Sequence, residues 1–269
     1  LPFWLAAGEM AVEGSANVEA TRHLRQGLAL IAALPESADR DRLELRFQNA
    51  LSTPLIASRG YADTETNRTH ARAQVLSERL GDGSLPFPAL YGQCVSHTVL
   101  ARNDDAHAVA NAFLRLAEEQ SDIASMVMGQ RIVGLTRIYL GRPDIARVHL
   151  DRALGLYDPA QHHGLAYHYA QDPLVATLTL RSWSLLLLGF EAQSAIDRQR
   201  ALAAARDLGH GHTLAYCLFY AGVLQDYLRR DTAALAEHAE QLATLCERQS
   251  MVTWLPFAEA GRSWIEAIQ

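Results

Sequence analysis

Residues 130–159, QRIVGLTRIYLGRPDIARVHLDRALGLYDP, constrain the fold of this chain most, because they spell one complete helix–turn–helix unit. Gly134 is a small residue inside the first helix, Gly141-Arg142-Pro143 breaks the chain, and Asp158-Pro159 stops the second helix. Between those breaks Ala146, Leu150 and Ala153 recur at four- and three-residue steps and share one helix face. Small residues at Gly134, Ala146 and Ala153 let two antiparallel helices approach closely, with Leu150 filling the space between them. One such pair cannot bury its apolar faces alone, so it implies neighbours stacked on either side.

Similar signals run along all 269 residues. Helices are expected at residues 4–13, 18–34 and 40–58; Ala20, Leu24, Leu28 and Ile31 share a face of the second. Pro54 should bend the third or end it early. Asp63 or Thr64 can cap the next helix, with Glu65 in its first turn where the helix dipole favours an acid. Residues 81–88, GDGSLPFP, form the clearest loop. Further helices are expected at 89–102, 106–120, 123–140, 144–157, 169–188, 192–208, 213–228, 232–249 and from 252 to the end. No run alternates apolar and polar residues between turn signals as a half-buried strand would. Breaks at Arg102-Asn103-Asp104, Gly141-Arg142-Pro143, Gly189-Phe190-Glu191 and Arg229-Arg230-Asp231 recur at roughly forty residues. The pattern predicts an all-α chain, a right-handed superhelical solenoid of antiparallel helix pairs. Residues 1–269 read as a single array of about six pairs plus a closing helix.

Composition narrows the chemistry. All 24 basic residues are arginine, so neither a Walker A loop nor a Schiff-base lysine can exist here. A net charge of −6 with no basic stripe argues against direct nucleic-acid binding. The apolar run around residues 185–190 is far too short to span a bilayer, so no membrane is implied. The opening Leu1-Pro2-Phe3-Trp4 has no Met and no positive n-region; it is read as part of a longer chain rather than a signal peptide. Cys94, Cys217 and Cys246 are scattered and form no CxxC pair, which suggests buried reduced thiols and a cytoplasmic location.

The breaks and small-residue positions resemble tetratricopeptide (TPR) repeats, best at Gly134, Gly141, Ala146, Leu150, Ala153 and Pro159. The match weakens around Gly189, where Ser194 and Arg198 stand in place of the expected small and aromatic residues. A narrower resemblance lies in Trp4-Leu5-Ala6-Ala7-Gly8, Ser15-Ala16-Asn17-Val18-Glu19-Ala20, His23-Leu24 and Gly27-Leu28. It continues in Thr53-Pro54-Leu55-Ile56-Ala57, Gly60-Tyr61-Ala62, Leu156-Tyr157-Asp158-Pro159, His162 and Gln171-Asp172-Pro173. These segments look like the repeat region of bacterial multidomain STAND-type signalling ATPases. Such proteins often carry a class III adenylate or guanylate cyclase domain or a winged-helix DNA-binding domain. The resemblance implies a non-catalytic sensing and interaction module, without cofactor, that regulates the attached ATPase and its output.

Two candidate sites follow. In arrays of this kind the first helix of each pair lines a concave groove that binds a peptide or partner domain. Arg131, Arg137, Tyr167, Tyr169, Gln171, Arg181, Tyr216 and Tyr220 supply the hydrogen-bonding and aromatic residue types favoured at binding hot spots. The alternative is a small-molecule or metal-dependent helical enzyme using His162, His163, His168 and Asp172, although their spacing matches no zinc pattern. Asp172 also suits the cap of a helix that Pro173 begins. Gly209-His210-Gly211-His212 reads as a turn, since no GxSxG elbow accompanies it.

Overall fold

The computed structural model describes residues 1–81 and 87–268, without the side chains of His163 and Ile268; most of the expected 81–88 loop therefore lies outside the described residues. The described residues are helical, and none forms a strand. In chain order the helices are α1 (Pro2–Glu13), α2 (Asn17–Ala32), α3 (Ala38–Arg59), α4 (Thr64–Leu80), α5 (Phe87–Val99), α6 (Asn103–Glu119), α7 (Ile123–Tyr139) and α8 (Pro143–Leu156). Short turns α9 (Pro159–His162) and α10 (Ala166–Tyr169) flank a 3₁₀ turn and precede α11 (Pro173–Leu187) and α12 (Glu191–Leu208). Then come α13 (Gly211–Cys217), a π turn (Leu218–Val223), α14 (Leu224–Arg229), α15 (Thr232–Gln249) and α16 (Leu255–Ile268).

The α7–α8 pair shows why these residues pair. A Cβ on Gly134 would lie 2.7 Å from Leu150 Cδ2 and 3.4 Å from the Ala146 carbonyl, so only glycine permits this approach. Leu150, Ala146 and Ala153 are fully buried beneath it. Junctions elsewhere repeat one backbone turn. The N–H five residues on closes Ala11, His97, Ala117, Arg137, Leu185, Asp226 and Cys246 carbonyls, from Ala16, Arg102, Asp122, Arg142, Phe190, Asp231 and Met251. The residue just before each donor is left-handed, with φ from 53° at Ser121 to 80° at Gly189. This is the Schellman closure, and it reverses the chain tightly enough to make the next helix antiparallel.

Packing divides the chain into two compact units: Leu1–Phe113 with Tyr167–Ala170, and Leu114–Ala166 with Gln171–Gln269. In the first, Leu5, Leu24, Ile31, Phe47, Leu51 and Leu55 form one core cluster, and Leu45, Ala73, Leu76 and Ala89 another. The second is built around α8, α11, α12 and α15, with Leu150, Leu178, Leu180, Leu235 and Leu242 sealed inside.

Three elements differ from expectation for physical reasons. α3 does not end early at Pro54 but runs through it to Arg59. The ring costs a hydrogen bond, about 3 kcal/mol, but Leu51, Leu55, Ile56 and Ala57 around it are buried and hold the helix together. Of the two starts the sequence offers for the next helix, residue 169 is not used; the helix begins at Pro173, behind the Asp172 cap. Ala170 is left-handed, Asp172 accepts from Val175 N at 2.9 Å, and proline takes the first helical position. The helix expected over 213–228 contains the π turn. Asp63 caps α4 as expected, accepting from Glu65 N and Thr66 N. No helix among the described residues is long and apolar enough to cross a membrane.

Candidate functional site

In the second unit α7, α11, the π turn and α16 place aromatic rings side by side. Tyr139 packs edge-on against Trp183 with centroids 5.7 Å apart, and Trp183 lies 5.7 Å from Tyr220. Tyr220 continues to Tyr216 at 4.7 Å and to Phe219 at 4.7 Å, and Phe219 reaches Phe257 at 4.4 Å. Trp254 closes the group from beneath, 5.9 Å from Phe219 and 6.2 Å from Tyr216. Tyr139 and Phe257 at the two ends are 36% and 41% exposed, while Trp183, Phe219 and Tyr220 are half-buried. The Tyr139 and Tyr220 hydroxyls meet at 2.8 Å on the exposed side. Desolvation by burial raises the Tyr139 phenol above its ordinary value. An open aromatic surface with hydroxyls at its edge can take apolar side chains and hydrogen-bond a polar backbone at once.

The residues singled out from the sequence fall into separate places. Tyr220 belongs to the aromatic face, and Tyr216 supports it while 4% exposed. Arg131 is almost completely buried and donates to Gln171 Oε1 at 2.7 Å, joining α7 to the residue before the α11 cap. Arg181 sits between α8 and α12, 3.0 Å from Asp151 and 3.3 Å from Asp197, with its charge engaged there. Burial raises the pKa of the Asp197 carboxyl although Arg181 and Arg200 beside it act in the opposite direction. Arg137 is half-buried on α7. Tyr167 and Tyr169 lie in the first unit, where the Tyr167 carbonyl accepts from Thr53 at 2.8 Å and Tyr169 packs 5.2 Å from Tyr91.

Among the described residues His162, His168 and Asp172 do not form a metal-holding group. His162 Nδ1 accepts from Asp158 N at 2.9 Å, which commits it to the local turn, and Asp172 is the α11 cap. His168 is exposed, and the His163 side chain lies outside the described residues. Among the described residues no group of three or more His, Cys, Asp or Glu is placed to hold a metal ion. The three cysteines are buried free thiols, and burial pushes Cys217 up to about 12 and Cys246 to about 11, which keeps both unreactive. His210 in the expected Gly-His-Gly-His turn caps α13: its Nδ1 lies 2.7 Å from Thr213 Oγ1 and 3.4 Å from Thr213 N.

Tyr139, Trp183, Phe219, Trp254 and Phe257 were not singled out from the sequence. A partial signal was available: large aromatics at 139, 183, 220 and 257 recur at roughly the repeat interval, although they fall at different points along their helices.

No protein-family model matches the chain. It is similar to an uncharacterized protein of Rhizobium meliloti (strain 1021), 24% identical over 270 residues and 99% of this chain. The chain spans 26% of the length of that curated relative. Among solved structures it is similar to the apo form of RapI, with TM-score 0.61, 12% identity and 98% of both chains covered. It is also similar to a Rap protein complexed with Competence and Sporulation Factor, with TM-score 0.63, 10% identity, and 99% of this chain and 73% of that one covered. At these identities the likeness is one of fold. The chain therefore has the all-α, helix-pair repeat architecture that its breaks and small residues predict.

Proposed function

We propose that this chain is a non-catalytic interaction module whose second unit receives an extended peptide segment across the Tyr139–Trp183–Tyr220–Phe257 face. The observation that carries this reading is the unbroken line of half-exposed rings crossing α7, α11, the π turn and α16. Large aromatics left open to water are disfavoured unless they serve recognition, and Tyr and Trp dominate binding hot spots. The line crosses helices instead of following one, so its occupant must be extended. Its reach is on the order of 20 Å, which about six extended residues span. That a Rap protein of the same fold has been crystallised with a bound factor supports an interaction role for the architecture.

Tyr220 contacts the peptide, Tyr216 supports it, and Arg137 lies two residues before Tyr139 on α7. Arg131, Gln171, Arg181, Tyr167 and Tyr169 shape the scaffold. In a longer protein this module regulates an attached ATPase and its cyclase or transcriptional output, as the repeat motifs imply; the greater length of the curated relative accommodates such domains.

The test is fluorescence anisotropy of a labelled pool of unstructured hexapeptides rich in Leu, Phe and Tyr. Binding by the unaltered chain, weakened about 30-fold or more in Trp183→Ala or Tyr220→Ala, is expected for hot-spot residues. Equal binding by folded variants, or none by the unaltered chain, sinks the proposal.

A further inference from the structure

The helix that presents Tyr216 and Tyr220 changes register midway, at the π turn Leu218–Val223. One extra residue in a turn rotates everything beyond it by about 100° relative to everything before it. Side chains meet two carbonyls of this turn: Gln225 Nε2 donates to Tyr220 O at 3.2 Å, and Arg198 Nε donates to Ala221 O at 2.5 Å. Arg198 Nη2 also pairs with Asp226, whose carboxylate is completely buried and accepts from His238 Nδ1 at 2.7 Å. Gln225 Nε2 lies 2.7 Å from Ser182 Oγ on α11, and Ser194 Oγ on α12 donates to Ser182 O at 2.8 Å. Gly222 faces His238 so closely that a Cβ would lie 2.9 Å from His238 Cγ.

A buried ion pair adds little stability over apolar residues of the same volume, but it discriminates strongly between registers because only one offset pairs the charges. We infer that Arg198 and Gln225 are positioning residues for the peptide face. They hold the π register, and that register sets Tyr220 against Trp183 and Tyr139. If the segment relaxed to α geometry, either Asp226 would turn away from Arg198 and His238, or Phe219 and Tyr220 would turn away from Trp183 and Trp254. The inference rests on the proposed peptide site only for its consequence; the geometry can be read in the free protein.

The readout is the set of indole N–H resonances of the four tryptophans, Trp4, Trp183, Trp254 and Trp264, in ¹⁵N-labelled protein. Gln225→Leu removes the neutral link. The double variant Arg198→Met/Asp226→Leu removes both charges, so that neither is left alone in the core. In each folded variant the Trp183 and Trp254 signals should shift as the Tyr220 ring moves, Trp4 should stay in place, and hexapeptide affinity should fall at least about tenfold. Trp183 and Trp254 signals at their original positions in folded protein would overturn the inference. Should the double variant fail to fold, Gln225→Leu decides alone. Shifted signals in a chain that never binds hexapeptide leave the positioning role standing and remove the peptide reading instead.

Discussion

Both units string aromatic rings together, but they finish the job differently. In the first unit Tyr61, Tyr91 and Tyr169 pack at 6.1 and 5.2 Å, and each is 5% exposed or less. In the second, Tyr139, Trp183 and Tyr220 pack at 5.7 Å each, with a hydroxyl pair left at the surface. The same residue types therefore act as core in one place and, in the function we propose, as a surface for a partner in the other. Spacing between rings does not separate the two roles; access does. A second pair in the first unit makes the point again. Ser52 Oγ lies 2.6 Å from His70 Nε2, a distance suited to proton transfer, yet both side chains are buried. Burial holds His70 neutral, with its pKa lowered to about 4.

If the first unit is scaffold and the second recognition, substitutions should divide along that line. Phe47→Ala opens the first core cluster and should cost about 3–5 kcal/mol, read as a fall in the urea midpoint, while hexapeptide binding by the second unit persists in the protein that stays folded. Loss of binding in folded Phe47→Ala protein would erase the division.

Acid should weaken both units alike. His70 in the first and His210 in the second are each lowered by burial from 6.5 to about 4. The unfolded chain takes up these protons first as pH falls, so stability is full above about 6.5 and declines until about 4. The linkage reaches about 3 kcal/mol per buried histidine. Denaturation midpoints at pH 7 and pH 4.5 measure it, and His70→Gln should flatten the first unit's share; an unchanged slope would show that other groups carry it.

Tyr139→Phe is gentler. It removes the hydroxyl partner of Tyr220 but keeps the ring, so peptide affinity should fall about fivefold, near 1 kcal/mol, with little change in melting. A drop as large as that of Trp183→Ala would mean that polar contacts, not ring area, dominate the face. The smallest effect belongs to the first unit's surface. Glu65 pairs with Arg25 at 2.6 Å and Arg59 at 2.7 Å, all three partly exposed. Glu65→Gln should cost less than about 1 kcal/mol and less still in high salt.

Much of the scaffold was legible from residue order. Gly134 facing Leu150, proline at the start of α11, and the Asp63 and Asp172 caps are local facts, each set by a few neighbours in the chain. The left-handed backbone of other turns was not. Ser15, Ala101, Ser121, Arg230 and Ser250 are left-handed without being glycine, a conformation costing about 1–2 kcal/mol that the packed helices on both sides impose. The site was legible only in part. Tyr216 and Tyr220 stood out at helical spacing, but Arg181 and Arg131 proved to face inward ion pairs and amides, because one sequence does not reveal how a helix is rotated.

The departure of Ser194 and Arg198 from the repeat pattern was the one trace of the π turn visible in the chain. By itself the sequence determined helices, their breaks and their pairing, since periodicity, caps and small residues act over a few positions. Tertiary structure alone decided which aromatics stay open and where the register shifts. The register depends on Arg198, Gln225, Asp226 and His238 meeting from three helices, at distances along the chain that no local pattern records.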